Sequence, residues 1–146
     1  DVTNATVTGL PASGKVLQVV TATDSTERTT TSASFVTASN TLVVSITPSS
    51  ISSKIFIIAS ASTQSTPDYG YFTIYRNAVN LGATNGMMRT FGGGGEGGSF
   101  SGTILDSPAT TSATTYQVYF KAQASATTKL NNASTKGSIT AWEISA

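Results

Sequence analysis

The sequence predicts an all-β fold, a sandwich or a barrel, and three features carry that expectation. From Lys15 onward, apolar and polar residues alternate with period two. No segment of helical length repeats apolar residues at the spacings a helix would need. Thr, Val, Ile, Tyr and Phe fill the alternating stretches, and short turn-forming clusters divide them.

Taken in order, residues 1–14 are rich in Thr, Asn and Gly and end in Leu10-Pro11-Ala12-Ser13-Gly14, a turn signal. They read as a linker or stalk leading into one head domain over residues 15–146. The chain starts at Asp1 with no basic, apolar leader, so it is expected to be a fragment, a processed product or the ordered end of something longer. Strands are expected over 15–22, 28–38, 41–47, 53–62, 69–77, 78–82, 87–91, 99–105, 115–124 and 137–144. In 15–22, Val16, Gln18 and Val20 share one side and Leu17 and Val19 the other. In 41–47, Leu42, Val44 and Ile46 share one face. Asn77-Ala78, Asn85-Gly86, the glycine run after Phe91 and Asp106-Ser107-Pro108 supply turns between strands.

Two strands bear on assembly. In 53–62, Ile55, Ile57 and Ala59 point one way and Phe56 and Ile58 the other, so both faces are apolar. A sandwich strand usually has one wet face. Either a loop of the same chain covers the second face, or another subunit does. In 69–77, Tyr69, Tyr71 and Tyr75 share one face, with Phe72 and Ile74 opposite. A tyrosine stripe suits an interface, burying the ring while the hydroxyl finds a partner, and it equally suits a surface on which sugars stack.

Composition excludes several chemistries. Cysteine is absent, which removes disulfides and thiolate metal sites, and histidine is absent, which removes the commonest general base and metal ligand. A Ser-His-Asp arrangement therefore cannot form within the chain. Only 10% of residues are charged and the formal net charge is +1, so attraction for nucleic acid or for an anionic membrane is weak. Thr and Ser are the two commonest residue types, and their hydroxyls carry the chain's solubility. The longest apolar run, Ile55-Phe56-Ile57-Ile58-Ala59, falls far short of the roughly 20 residues of a membrane helix. No cofactor, membrane insertion or nucleic-acid partner is expected.

The glycine run, Gly92-Gly93-Gly94-Gly95-Glu96-Gly97-Gly98, lacks the Lys-Ser/Thr ending and the following helix of a phosphate-binding loop. It reads as an inter-strand loop at one end of the fold, or as a specificity loop at an exposed tip with Glu96 its only charge. The carboxylates are sparse, and no two stand at a spacing that suggests a glycosidase pair. Asp68 and Asp106 fall in turns, where such residues usually bond local backbone. Asn4-Ala5-Thr6 and Asn132-Ala133-Ser134 match the glycosylation pattern by chance in so Ser/Thr-rich a chain. Trp142, beside Ile144, is expected in the core.

Several phrases together resemble the C-terminal domain of phage tail-fibre and related virion proteins, especially those of marine phages. They are Gly14-Lys15-Val16-Leu17-Gln18-Val19-Val20; Ile46-Thr47-Pro48-Ser49-Ser50 with Ser53-Lys54-Ile55-Phe56-Ile57; Tyr71-Phe72-Thr73-Ile74-Tyr75 with Arg76; Ser107-Pro108 followed by Thr111-Ser112-Ala113-Thr114-Thr115-Tyr116; and Ser138-Ile139-Thr140-Ala141-Trp142-Glu143-Ile144. The resemblance covers about residues 14–146. It implies a virion surface, a homotrimer, an antiparallel jelly-roll-like sandwich similar in layout to C1q/TNF trimers, and no catalytic residues.

The expected function is non-enzymatic attachment to a host cell-surface glycan or protein by the distal domain of a fibre. Its end loops, 64–70, 92–99 and 106–114, would make the contacts. Asp68, Tyr69, Arg89 and Glu96 are the expected contact residues, and Phe56, Ile58, Tyr71 and Tyr75 the expected subunit-interface residues. Rival readings are a structural virion part holding other virion proteins together, as in capsid decoration or tail assembly, and a cellular lectin-like or adhesin module.

Overall fold

A computed structural model describes residues 14–92 and 97–146. Its eleven strands form two antiparallel sheets packed face to face. The strands are β1 (Val16–Asp24), β2 (Arg28–Thr30), β3 (Val43–Ile46), β4 (Lys54–Thr66), β5 (Gly70–Arg76), β6 (Val79–Asn80), β7 (Met88–Thr90), β8 (Gly97–Asp106), β9 (Thr114–Ala122), β10 (Thr127–Leu130) and β11 (Gly137–Ile144).

The thirteen-residue β4 organises the six-stranded sheet. One edge of β4 pairs with β8; the other pairs first with β11 and then with β10, which carry β1 and β2 outward. The five-stranded sheet runs β3-β9-β5, with β6 and β7 sharing the far edge of β5. Sequence-distant strands thus lie side by side, the first against the last, in a jelly-roll-like sandwich.

Alternation places the core as the sequence reading expects. Leu42, Val44 and Ile46 turn inward, as do Ile55, Ile57 and Ala59 from β4 and Phe72 and Ile74 from β5. Phe72 stacks on Phe120 beside it and on Phe100 from the opposite sheet, with centroids 5.9 and 5.8 Å apart. Each such ring contributes about 1.5–3 kcal/mol by leaving water. Gly102 makes room for Phe100, because a Cβ there would come within 2.5 Å of that ring.

Two buried polar networks close one end of the sandwich. Glu143 takes an inward position on β11 and is fully buried. Its carboxylate accepts bonds from the Ser49 amide (2.6 Å), the Ser49 and Ser53 hydroxyls (2.7 and 2.6 Å) and the Gln18 amide (2.6 Å). Burial alone would raise its pKa, but the bonds from Ser53, Gln18 and Ser49 outweigh burial and hold it at about 2. Asp106, at the end of β8, accepts two bonds from Arg76 of β5 (2.8 and 3.0 Å) and one from the Tyr116 hydroxyl of β9 (2.7 Å), tying the two sheets together. Burial and the adjacent Asp106 carboxylate both push the Tyr116 phenol upward.

Four expectations need correction. Trp142 is not core: strict alternation along β11 buries Ile139, Ala141 and Glu143 and turns Trp142 to the outer face. Asp106 does not cap its own turn but joins the sheets. The strand expected over 28–38 ends at Thr30; beyond it Val36 makes an isolated bridge to Phe120. Val16 does not join Gln18 and Val20, because the register slips between Val16 and Gln18 and leaves Val16 exposed beside Leu17. The unpredicted β10 buries Thr128 and Leu130 between β4 and β2.

Candidate functional site: two outer faces

The outer face of the six-stranded sheet is zoned. Register lines up Val19, Trp142, Phe56 and Leu105 across β1, β11, β4 and β8, an apolar row spanning four strands. Trp142 and Phe56 pack ring to ring at 5.7 Å. Val16, Leu17 and Ile144 extend the row at the strand ends, and Ile58 sits one step above it. The rows beyond Ile58 are hydroxyls: Thr23, Ser138, Ser60 and Ser101 stand side by side. Val19 is 51% exposed, Leu105 59% and Ile58 37%, while Phe56 and Trp142 between them are half-buried against each other, so the chain's own described loops leave this band partly open. Apolar side chains gathered in this way on an outer face are uncommon on a lone chain.

The outer face of the five-stranded sheet carries aromatic and cationic groups. In register, Tyr71 of β5 stands between Arg89 of β7 and Lys121 of β9. The Arg89 guanidinium lies over the Tyr69 ring, 4.4 Å from its centroid. Lys121 sits 5.2 Å from the Tyr71 centroid and 4.8 Å from that of Phe35. The exposed Phe91 packs on Tyr69 at 5.0 Å. The Tyr71 hydroxyl donates to the Gln123 side chain. Open grooves of about 220 and 340 Å³ flank Tyr71 and share Asn85; Arg89 lines the first, Lys121 and Gln123 the second.

The structure brings Tyr69 and Arg89 into contact, and Asp68 adjoins them with its carboxylate accepting the Tyr69 amide at 2.7 Å. Glu96 lies outside the described residues. Phe56 and Ile58 share the apolar outer face, whereas Tyr71 and Tyr75 lie on the opposite side of the sandwich. Tyr75 is half-buried there, stacked on Tyr119 at 4.1 Å and edge-on to Phe35 at 6.1 Å. Lys121, Gln123 and Phe91 are not among the expected contact residues. The sequence predicts a strand over 115–124, and cross-strand register is what places Lys121 beside Tyr71.

The expected end loops separate by position. The segment after β4 lies at one end with the end of β7, where Gly70 pairs with Thr90 and Ala122; of the loop 92–99, residues 93–96 lie outside the described residues. Residues 107–113 lie at the other end, with Ile144 and the start of β1. Glycine is required at the base of the glycine run: a Cβ on Gly92 would lie 0.9 Å from the Ser65 carbonyl oxygen. No protein-family model and no curated protein matches the chain.

Proposed function

We propose that this chain is a non-enzymatic, homotrimeric recognition head on a virion surface, the distal domain of a phage fibre that attaches to a host-cell surface. The observation that carries the reading is the outer apolar row Val19–Trp142–Phe56–Leu105 with Ile58, exposed at Val19, Ile58 and Leu105. Leaving it in water is costly, and burying it against further copies of the chain removes that cost.

Polarity supports the same reading. The chain runs into β1 at the end that holds Ile144 and residues 107–113, while Tyr69, Arg89 and Phe91 cluster at the other. A head joined to its fibre through residues 1–14 would present the aromatic and cationic cluster outward. Three copies acting together would raise avidity by roughly 10²–10⁴ over one weak site.

The test uses the fluorescently labelled chain on a panel of bacterial isolates, marine ones included. Saturable binding to some strains, lost in a monomeric variant, is the expected result. A folded, trimeric chain that binds none of them would contradict attachment. An assembly role alone, in capsid decoration or tail assembly with other virion proteins, is also favoured by the apolar face. Copy number in purified particles separates the two, because decoration requires hundreds of copies and a fibre tip few.

A further inference from the structure

Five of the chain's eight cations fall into two kinds. Arg28, Arg76 and Lys129 each face a carboxylate: Asp24 at 3.5 Å, Asp106 at 2.8 Å and Glu27 at 3.0 Å. Arg89 and Lys121 do not ion-pair among the described residues; they rest over aromatic rings instead. A cation–π contact holds a cation in place for about 0.5–1 kcal/mol at an exposed site without neutralising it. Lys121 is further steadied by the Thr84 carbonyl and the Asn85 side chain at 3.4 and 3.3 Å, both uncharged. Asp68, next to Tyr69 in the chain, accepts the Tyr69 backbone amide.

Two preplaced positive charges therefore flank the half-exposed Tyr71, with open grooves on either side of it. Ring faces suit the C–H face of a sugar. Asn85 and Gln123 offer amide groups for hydroxyls. The Arg89 guanidinium, lying over Tyr69, keeps its edge available for bidentate bonding to a planar carboxylate. We infer that the Arg89–Tyr71–Lys121 row, with Tyr69 and Gln123, is a subsite for a carboxylated pyranose, a uronic-acid residue of an acidic surface polysaccharide.

This inference rests on the attachment reading but is tested separately from it. Calorimetry on the intact chain should compare an oligogalacturonate, its methyl ester, a sulfated galactan oligosaccharide and a poly-glutamate peptide. The oligogalacturonate should bind, weaken as salt rises, and lose about tenfold or more on methyl esterification. Arg89→Gln and Lys121→Gln should each lose about tenfold, with Lys121→Arg retaining most of the affinity.

Equal binding of acid and ester, or of the peptide and the oligogalacturonate, would overturn the assignment, and preference for the sulfated chain would overturn its carboxylate part. Unchanged affinity in Arg89→Gln with an unchanged melting temperature would also overturn it. If the double variant Arg89→Gln/Lys121→Gln still binds cells normally, this subsite fails and attachment stands. If the oligogalacturonate binds through these residues and no cells are bound, attachment fails and the subsite stands.

Discussion

Trp142 and Phe56 face each other across β11 and β4, ring to ring at 5.7 Å, on the side of the sheet that the chain's own described loops leave partly open. Their placement follows from their neighbours. Ile55 and Ile57 take the inward positions on β4, and Ala141 and Glu143 take those on β11. The largest aromatic group in the sequence is thereby sent outward, and an ionised carboxylate is sent inward.

That exchange makes Glu143 a source of acid sensitivity. Its folded pKa of about 2 lies below its ordinary 4.5, so the stability it contributes is fully present above pH 4.5 and is lost as pH falls from there toward 2. Urea unfolding of the wild-type chain should show that loss. Glu143→Gln should be less stable at pH 7 by about 1–3 kcal/mol, because the Ser49, Ser53 and Gln18 donors lose charged acceptors, and should lack this part of the slope. Parallel profiles for the two proteins would rule out this role.

The Arg76–Asp106–Tyr116 network should behave as one unit. Asp106→Ala leaves a guanidinium and a buried phenol without their acceptor and should cost about 3–5 kcal/mol in chemical denaturation. Tyr116→Phe should cost about 1 kcal/mol. A double-mutant cycle between positions 106 and 116 should return coupling of about 0.5–3 kcal/mol, and strict additivity would show that the bond contributes nothing.

Gly102→Ala should destabilise by about 1–3 kcal/mol through overpacking, since the new methyl meets the Phe100 ring at 2.5 Å and Ile74 at 3.3 Å. The melting temperature reports the effect. A variant as stable as wild type would mean that Phe100 has room to move aside.

Period-two patterning made much of the sandwich legible. Gly137–Ile144 is found with the bounds expected, and Leu42, Val44 and Ile46 point where alternation places them. Legibility failed where inward positions are small and polar. β4 runs on past Ser62 with Thr63 and Ser65 buried, and β10 buries Thr128 against Ser65 through a 3.0 Å hydroxyl contact. Hydrophobic alternation does not register inward hydroxyls, whether they pair, as Ser65 and Thr128 do, or stay without a partner among the described residues, as at Thr63. Trp142 follows strand phase, outward between the inward Ala141 and Glu143, against the core position expected of it. In the aromatic and cationic cluster, Tyr69 and Arg89 are both expected contact residues, and the structure brings them together. Lys121 is not among those expected, because its neighbours belong to strands distant in sequence.

Sedimentation equilibrium of the wild-type chain beside Leu105→Glu tests the central claim most directly. Leu105 is 59% exposed and ends the apolar row, so the substitution places a charge on that face without disturbing the core. Wild type should sediment as three copies, and Leu105→Glu as one copy with an unchanged circular dichroism spectrum. A wild-type chain that remains monomeric and folded up to millimolar concentration would contradict the claim that this face is buried against its own kind.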